Sequence, residues 1–584
     1  MNKLDLYINA SDIVNNKLEK IKEIFIKFYG ERYRLKIEDS LNNFIFIPYL
    51  MPKQVSYLIK DYEKEVSVKY QTEFLTSINQ VDNKNFFKDY SFSNKVFIPL
   101  NQLYELIDKL KDNSIKEWEF QNLKELLSSM LKIEINDNNI NDSINYFLNI
   151  KPSYLNILEK YNEEISKYKE LKEEINSYEE SVNKLNNDYN IIFFELIEQY
   201  LSEKDKEYIK KCKEQNQHLY IFNLECDNSF CDLEYYSTGL IDYFNEDEIS
   251  LNDESISDWK KQIIKKKRIE YFKLKGLDLG NNYDDYMNYP DIKSFIPTKE
   301  LIDEIKLIKE ELTNRGLKKQ FELTPLYKKF SPIFDNLGLA TDNFSHRLLL
   351  YGGEVQLEKS RNIMACVSPG LNKDNNLLNL LYLQLKDFDA LEHFLVHELN
   401  HVVESSLIYQ DEKQYMVKSG FDALTNAKID EKVDLNTVPK RDFEYLNEII
   451  NELLAQDIHK LMNQEGLYLF NEPGKSKTSG FTSYENVKIF VEDFYHEFKD
   501  ILFESRLLNN MDVLTNEVGY DNLVDLNNLI KNFFVDFQGF SYYQVIKDIK
   551  DKVKNESTEL YFEYYNKSRD ILNKMKEYKD VKNK

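Results

Sequence analysis

The chain has 584 residues, a formal net charge of -24 and 42% hydrophobic residues, enough for three or four structural units with large cores, which excludes wholesale disorder. Its 15 Gly and 11 Pro fall well below the usual ~7% and ~5%, which argues against turn-rich all-β folds and collagen and for a mainly helical chain with a small sheet. The acidic balance excludes a general polyanion binder, since Lys and Arg must neutralise phosphates, so no nucleic-acid partner is expected.

Residues 1–150 read as a mostly helical N-terminal domain with short strand-like runs such as Asn43 to Pro48. Residues 151–211 read as a long helical arm. There Ile165, Tyr168, Leu171, Ile175, Tyr178, Val182, Leu185, Tyr189 and Ile192 recur at spacings of three and four among Glu, Lys, Asn and Ser. That is a coiled-coil-like helix over Tyr154 to Ile192, with one heptad break at Tyr168–Leu171–Ile175. It suits an antiparallel hairpin or a rod packed on its own protein, and it is the expected surface for any protein partner.

Residues 212–344 read as a mixed helical linker domain. Leu219 to Leu224 is strand-like, Ser257 to Leu274 and Lys299 to Leu312 are helix-like, and Gly276 to Pro297 is a long loop. The basic run Lys260, Lys261, Lys265, Lys266, Lys267 and Arg268 reads as a solvated helix face. Cys212, Cys226, Cys231 and His218 fit no common zinc spacing and read as separate reduced thiols. No run of 18 apolar residues occurs, so no membrane span is expected. The N-terminus lacks the apolar core of a secretory signal, so a cytoplasmic location is expected, with signal-independent release as the other route.

Residues 345–584 carry a different pattern. Arg347 to Tyr351, Gly353 to Leu357 and Asn362 to Val367 read as short strands. Leu377 to Leu385 is apolar on both faces, so strand and helix are not separable there. A helix opens at Asp389, where Glu392 completes a capping-box pattern, and Leu391, Leu395, Leu399 and Val402 form its buried stripe.

That helix holds His397-Glu398-Leu399-Asn400-His401. Two histidines four apart lie one turn apart on one face and can reach one ion. Glu398 lies about 100° further round the helix, beside the ion, where it can take a proton from a water that Zn2+ acidifies toward a pKa of ~7. With seven His in the chain, chance gives about 0.01 such matches. A metzincin needs Gly and His three and six residues after the second His, where Glu404 and Leu407 stand. A glutamate from a second helix remains, in Tyr445-Leu446-Asn447-Glu448-Ile449-Ile450-Asn451-Glu452-Leu453-Leu454-Ala455-Gln456, where Glu448 and Glu452 share one face.

The HExxH helix followed by a helix with Asn-Glu-x-x-Ala resembles the glutamate-zincin metallopeptidases (gluzincins). Glu452 to Gln456, with Tyr445 seven residues before Glu452, resembles the protease domain of anthrax lethal factor and related toxin-type peptidases. The resemblance covers roughly 345 to 470. It implies a zincin-like peptidase domain with one Zn2+ per chain held by His397, His401 and Glu452, Glu398 as general base, and Tyr445 as donor to the oxyanion. Glu448 stands as the alternative ligand. The gap from His401 to Glu452 is longer than in that family, so Leu407 to Arg441 must form a sizeable excursion. The expected activity is hydrolysis of peptide bonds in a protein or peptide substrate. The alternatives are a non-catalytic interaction or scaffold protein with a structural or vestigial metal site, and a narrowly specific regulatory or toxin-type protease.

Among lesser candidates, His393 is expected behind the site or exposed. Glu404 either orients His401 or faces solvent. Asp457 and His459 read as structural. His496, Arg506 and the pair Tyr542-Tyr543 are distant candidates for oxyanion or substrate contact.

Overall fold

A computed structural model of the chain describes residues 2–81, 97–197, 251–252, 256–274, 276–337, 365–386, 389–409, 414–428, 443–477, 484, 487–537 and 542–582. They fall into two compact units, Met1–Leu4 with Met51–Ser181 and Asp5–Leu50 with Val182–Lys584. The described residues are mainly helical with two small sheets, as composition predicts. None of their helices is long and apolar enough to cross a membrane. The four cysteine-region residues Cys212, Cys226, Cys231 and His218, and the strand-like runs at 219–224, 347–351 and 353–357, lie outside the described residues.

The chain opens with α1 (Lys3–Tyr29), α2 (Arg34–Asn42) and β1 (Phe44–Tyr49). The first unit is then built from α3 (Pro52–Val81), α4 (Phe97–Lys111), α5 (Glu117–Leu131), α6 (Ile140–Ser166) and the start of α7 (Lys169–Ile197). Val55, Ile59, Tyr62, Val66, Tyr70, Phe74 and Ile78 recur along one face of α3 and are all buried. That face packs on α6, with the Phe74 and Tyr154 rings edge to face at 5.7 Å.

The single helix expected over Tyr154 to Ile192 is two helices, broken at Lys167 and Tyr168. Tyr168 lies buried in the break, 4.7 Å from the Tyr62 ring and within 3.0 Å of the Asn2 side chain. The break falls beside the heptad break expected at Tyr168.

The second unit continues with α8 (Asp258–Leu274), α9 (Tyr283–Met287), α10 (Lys299–Leu323) and α11 (Pro325–Leu337). The loop expected over Gly276 to Pro297 is tied down by Tyr286, whose hydroxyl accepts from Leu279 N–H at 3.0 Å and donates to Gly280 O at 2.9 Å.

β2 (Ala365–Leu371) and β3 (Leu377–Gln384) form a hairpin, and β1 joins it in parallel, giving the order β1-β3-β2. Phe44 pairs with Asn379, and Val367 with Leu381. β3 is apolar on both faces because both are covered. Leu380 and Tyr382 pack with Ile47, Phe330 and Phe334 on the side of α11. The other side meets α12 (Leu391–Glu404), the helix of the two histidines.

α12 runs straight into a meander of β4 (Ser405–Tyr409), β5 (Gln414–Ser419) and β6 (Asp422–Lys428). This sheet is part of the excursion that the sequence requires between His401 and the next helix. That helix is α13 (Glu444–Gln464), packed along α12. The chain ends in α14 (Glu492–Glu497), α15 (Lys499–Leu507), α16 (Met511–Val518), α17 (Tyr520–Asp536), α18 (Tyr542–Lys550) and α19 (Glu556–Lys582).

Two local expectations for α12 change. Its N-cap is Ala390, with no side-chain cap. Glu392 turns away and accepts the backbone N–H groups of Leu469, Phe470 and Asn471 at 2.6, 2.8 and 3.1 Å, so three buried donors outcompete one cap. Nor does α12 present an amphipathic stripe, because every residue from Leu391 to Glu404 is buried. It is walled by α2, β2, β3, β5, α13 and α15. Six ionisable side chains thus enter the interior on one helix, where burial without partners would be costly.

Candidate metal centre

Those side chains find partners, and the partners define a site. Nε2 of His397 lies 3.4 Å from Glu448 Oε2, and Nε2 of His401 lies 3.6 Å from the same oxygen. His397, His401 and Glu448 offer ligand atoms that all lie within 4.8 Å of one another, so the group could hold a metal ion. The two imidazoles sit 5.2 Å apart, as one helical turn dictates. The Glu448 side chain keeps 26% of its exposure, so the centre opens to solvent on the α13 side.

Glu452, the ligand expected from the resemblance, stands elsewhere. Its Oε2 lies 3.1 Å from Nδ1 of His397, the opposite ring edge from Glu448. Both its oxygens also take His393 Nε2, at 2.9 and 3.0 Å, and Gln456 Nε2 donates to it at 3.0 Å. α13 therefore presents Glu448 to the ligand edge of His397 and Glu452, one turn later, to its back. His393 is buried behind the site and bonded to Glu452, one of the two places expected for it.

The second histidine is held in a matching way. Ser419 Oγ on β5 donates to the His401 carbonyl at 3.1 Å and stands 3.4 Å from His401 Nδ1. Each imidazole thus has a partner at Nδ1 and turns Nε2 toward Glu448. Such partners fix the tautomer and ring orientation of a ligating histidine. Asn451 Nδ2 adds a bond to the His397 carbonyl at 2.9 Å.

Charge follows the geometry. Burial alone would push the His397 pKa down, but the hydrogen bonds it makes to Glu448 and Glu452 outweigh it and hold it up at about 10. Burial would raise Glu448, but His401 and His397 hold it well below the ordinary carboxylate range. Glu452 is likewise held low by His393 and His397 against its burial. His393 is pushed down, chiefly by burial. The cluster therefore keeps a positive charge on the His397 ring, between Glu448 at Nε2 and Glu452 at Nδ1. Two neutral imidazole donors and one carboxylate form a donor set that suits zinc.

Glu398 is different. Burial raises its pKa, against the pull of His397, His401 and a hydrogen bond from Val367 N–H on β2. A raised carboxyl is a stronger base at neutral pH.

Tyr445 packs its ring against Phe534 on α17 at 5.8 Å. The phenol that reaches the cluster belongs to Tyr484. Its ring lies nearly parallel to His397 at 6.0 Å, and its hydroxyl donates to Glu448 Oε2 at 3.4 Å. Burial and then Glu448, Glu398 and Glu452 raise its pKa well above the usual value, so it stays protonated as a donor. Sequence reading missed Tyr484, one of 41 tyrosines, because no periodicity marks it.

The lesser candidates resolve as follows. Glu404 neither orients His401 nor faces solvent. It is buried and bonded bidentately to Arg506 at 2.7 and 2.6 Å, which also removes Arg506 from substrate contact. Asp457 accepts from Tyr495 and Lys499, and His459 lies near Glu392 and Ser476, both structural roles. His496 is exposed, with Glu492 3.9 Å away. The side chains of Tyr542 and Tyr543 lie outside those described.

Comparisons of the chain with protein-family models, curated proteins and solved structures give no match. The class of the site therefore rests on its own residues.

Proposed function

We propose that the chain is a zinc-dependent metallopeptidase of the HExxH gluzincin type, with a zincin-like catalytic region formed around α12 and α13. The observation that carries this reading is the convergence of His397, His401 and Glu448 with the buried, pKa-raised Glu398 beside them. His397, His401 and Glu448 hold the metal, and Glu452 moves from ligand to the partner that orients His397. Bound there, Zn2+ would polarise the scissile carbonyl and acidify a water.

Glu398 takes the proton from the attacking water and returns it to the leaving amine. Tyr484 donates its hydroxyl proton toward the oxyanion, the role that the resemblance gave to Tyr445. A donor of that kind contributes about 2.7–4 kcal/mol. Among the described residues β2, next to Glu398, is an edge strand, which suits an extended peptide added as a further strand. A purely structural metal site would have no use for a base beside it, which disfavours the scaffold reading.

The test is zinc content of the purified chain together with cleavage of a mixed peptide library. About one zinc per chain and cleavage lost in Glu398→Gln support the reading. A chain that takes up no zinc after reconstitution overturns it.

A further inference from the structure

We infer that Arg506 is a positioning residue for the metal centre: its buried guanidinium sets the spacing between the helix that carries both histidines and the helix that carries Glu448. The inference rests on the metal-centre reading above.

Arg506 sits on α15 and is fully buried. Its Nε and Nη2 donate to Glu404 at 2.7 and 2.6 Å, three residues after His401 at the end of α12. Its Nη1 donates at 2.7 Å to Asn447 Oδ1, the residue immediately before Glu448 on α13. One planar group thus bridges both ligand-bearing helices through a rigid fork, which a flexible ammonium cannot reproduce.

The turn between β5 and β6 locks the same junction. Asn447 Oδ1 also accepts Phe421 N–H at 3.1 Å, and Asn447 Nδ2 donates to Ser419 O at 3.4 Å. Ser419 is the residue that holds His401. Gly420, at φ +59°, has no room for a side chain, since a Cβ there would stand 2.2 Å from Asn447 Oδ1 and 3.0 Å from Arg506 Cζ. The guanidinium lies 4.8 Å from the Phe421 ring centre. Asn509 closes the far side, donating to Glu404 O at 3.1 Å and to Ser406 Oγ at 2.6 Å.

Burying an ion pair is a poor route to stability, because apolar residues of similar volume often serve as well or better. An apolar trio would not fix the separation of Glu404 from Asn447, and that separation determines where Glu448 meets the two Nε2 atoms. Arg506 is enclosed too deeply to touch substrate, so it acts through the ligands alone.

The experiment uses the full chain as wild type, Asn447→Ala, Arg506→Lys and Arg506→Met. Zinc affinity is read by competition with a chromophoric chelator, and ligand geometry by the visible spectrum of the Co2+-substituted protein. Asn447→Ala keeps the Arg506–Glu404 pair and severs the links of α13 to Arg506 and to the turn at Ser419 and Phe421, so it serves even where Arg506→Met fails to fold. With its metal-free circular dichroism matching wild type, Asn447→Ala is expected to weaken zinc by roughly 10–100-fold and to shift the Co2+ bands, the loss usual for partners of metal ligands. Arg506→Lys is not expected to rescue either. Wild-type affinity and an unchanged Co2+ spectrum in Asn447→Ala overturn the positioning role while leaving the metal centre intact. A wild-type chain without zinc overturns the metal centre and this role with it.

Discussion

Glu452 grips His397 from behind: its carboxylate oxygen lies 3.1 Å from Nδ1, while Nε2 of the same ring points to the open side of the cluster. The two carboxylates that His397 meets therefore have different consequences when removed. Glu448→Ala should abolish zinc binding, because it deletes a donor atom. Glu452→Gln should keep the metal at roughly 10–100-fold lower affinity, because it only loosens the ring. Metal analysis of the two variants after dialysis checks this, and equal zinc loss in both would return Glu452 to the ligand set.

In the proposed mechanism Glu398 works on the attacking water and supplies no ligand atom. Glu398→Gln should thus retain wild-type zinc while peptide cleavage falls by about 10²–10⁴, the usual worth of a positioned general base. Paired measurement of zinc content and turnover separates this from misfolding, which would lower both.

Tyr484 and Tyr445 make opposite predictions. Tyr484→Phe removes the only hydroxyl that the described residues bring to Glu448 Oε2, and should lower kcat by about 10²–10³ with KM little changed. Tyr445→Phe keeps the ring against Phe534 and should leave both constants near wild type. Steady-state kinetics of the two variants decides which phenol serves the oxyanion.

Lys36 on α2 donates to the Ser405 carbonyl and, at 3.0 Å, to Ser406 Oγ, just past the histidine helix. Burial brings its pKa down to about 8, against the pull of Asp39 and Glu404. Unfolded, the same group titrates near ~10.4. Between those values the unfolded chain holds a proton that the folded chain has lost, so stability rises with pH across that window. Because His397, held up at about 10, pulls the other way over the same range, the effect is read as a difference: the urea midpoint of the wild type relative to Lys36→Met should climb from about pH 8 to about pH 9.5.

The histidine pair was legible because a four-residue step on a helix leaves no freedom in where two imidazoles point. The glutamate that faces the pair was not, for the same periodic reason. Glu448 and Glu452 lie one turn apart on one face, and only the docking of α13 on α12, where Glu452 meets His393, decides which of them reaches Nε2. Sequence could read the apolar run at 377–385 but not its class, since a strand covered on both faces loses its alternation. A heptad break near Tyr168 was visible, while the partners that Tyr168 meets there, Tyr62 and Asn2, lie more than a hundred residues away along the chain. Arg506 read as a distant candidate for substrate contact because its partners, Glu404 and Asn447, come from two other helices.

The parallel pairing of β1 with β3 has a consequence for synthesis. The strand Phe-Ile-Phe-Ile-Pro-Tyr at Phe44–Tyr49 leaves the ribosome about 330 residues before its partner, on the order of 15–70 s at ordinary elongation rates. Through that interval a sticky apolar edge waits unpaired, which is when aggregation competes with folding. Chaperone demand should therefore concentrate on the segment around Phe44–Tyr49 until β3 is made, far in sequence from the histidines whose framework it completes.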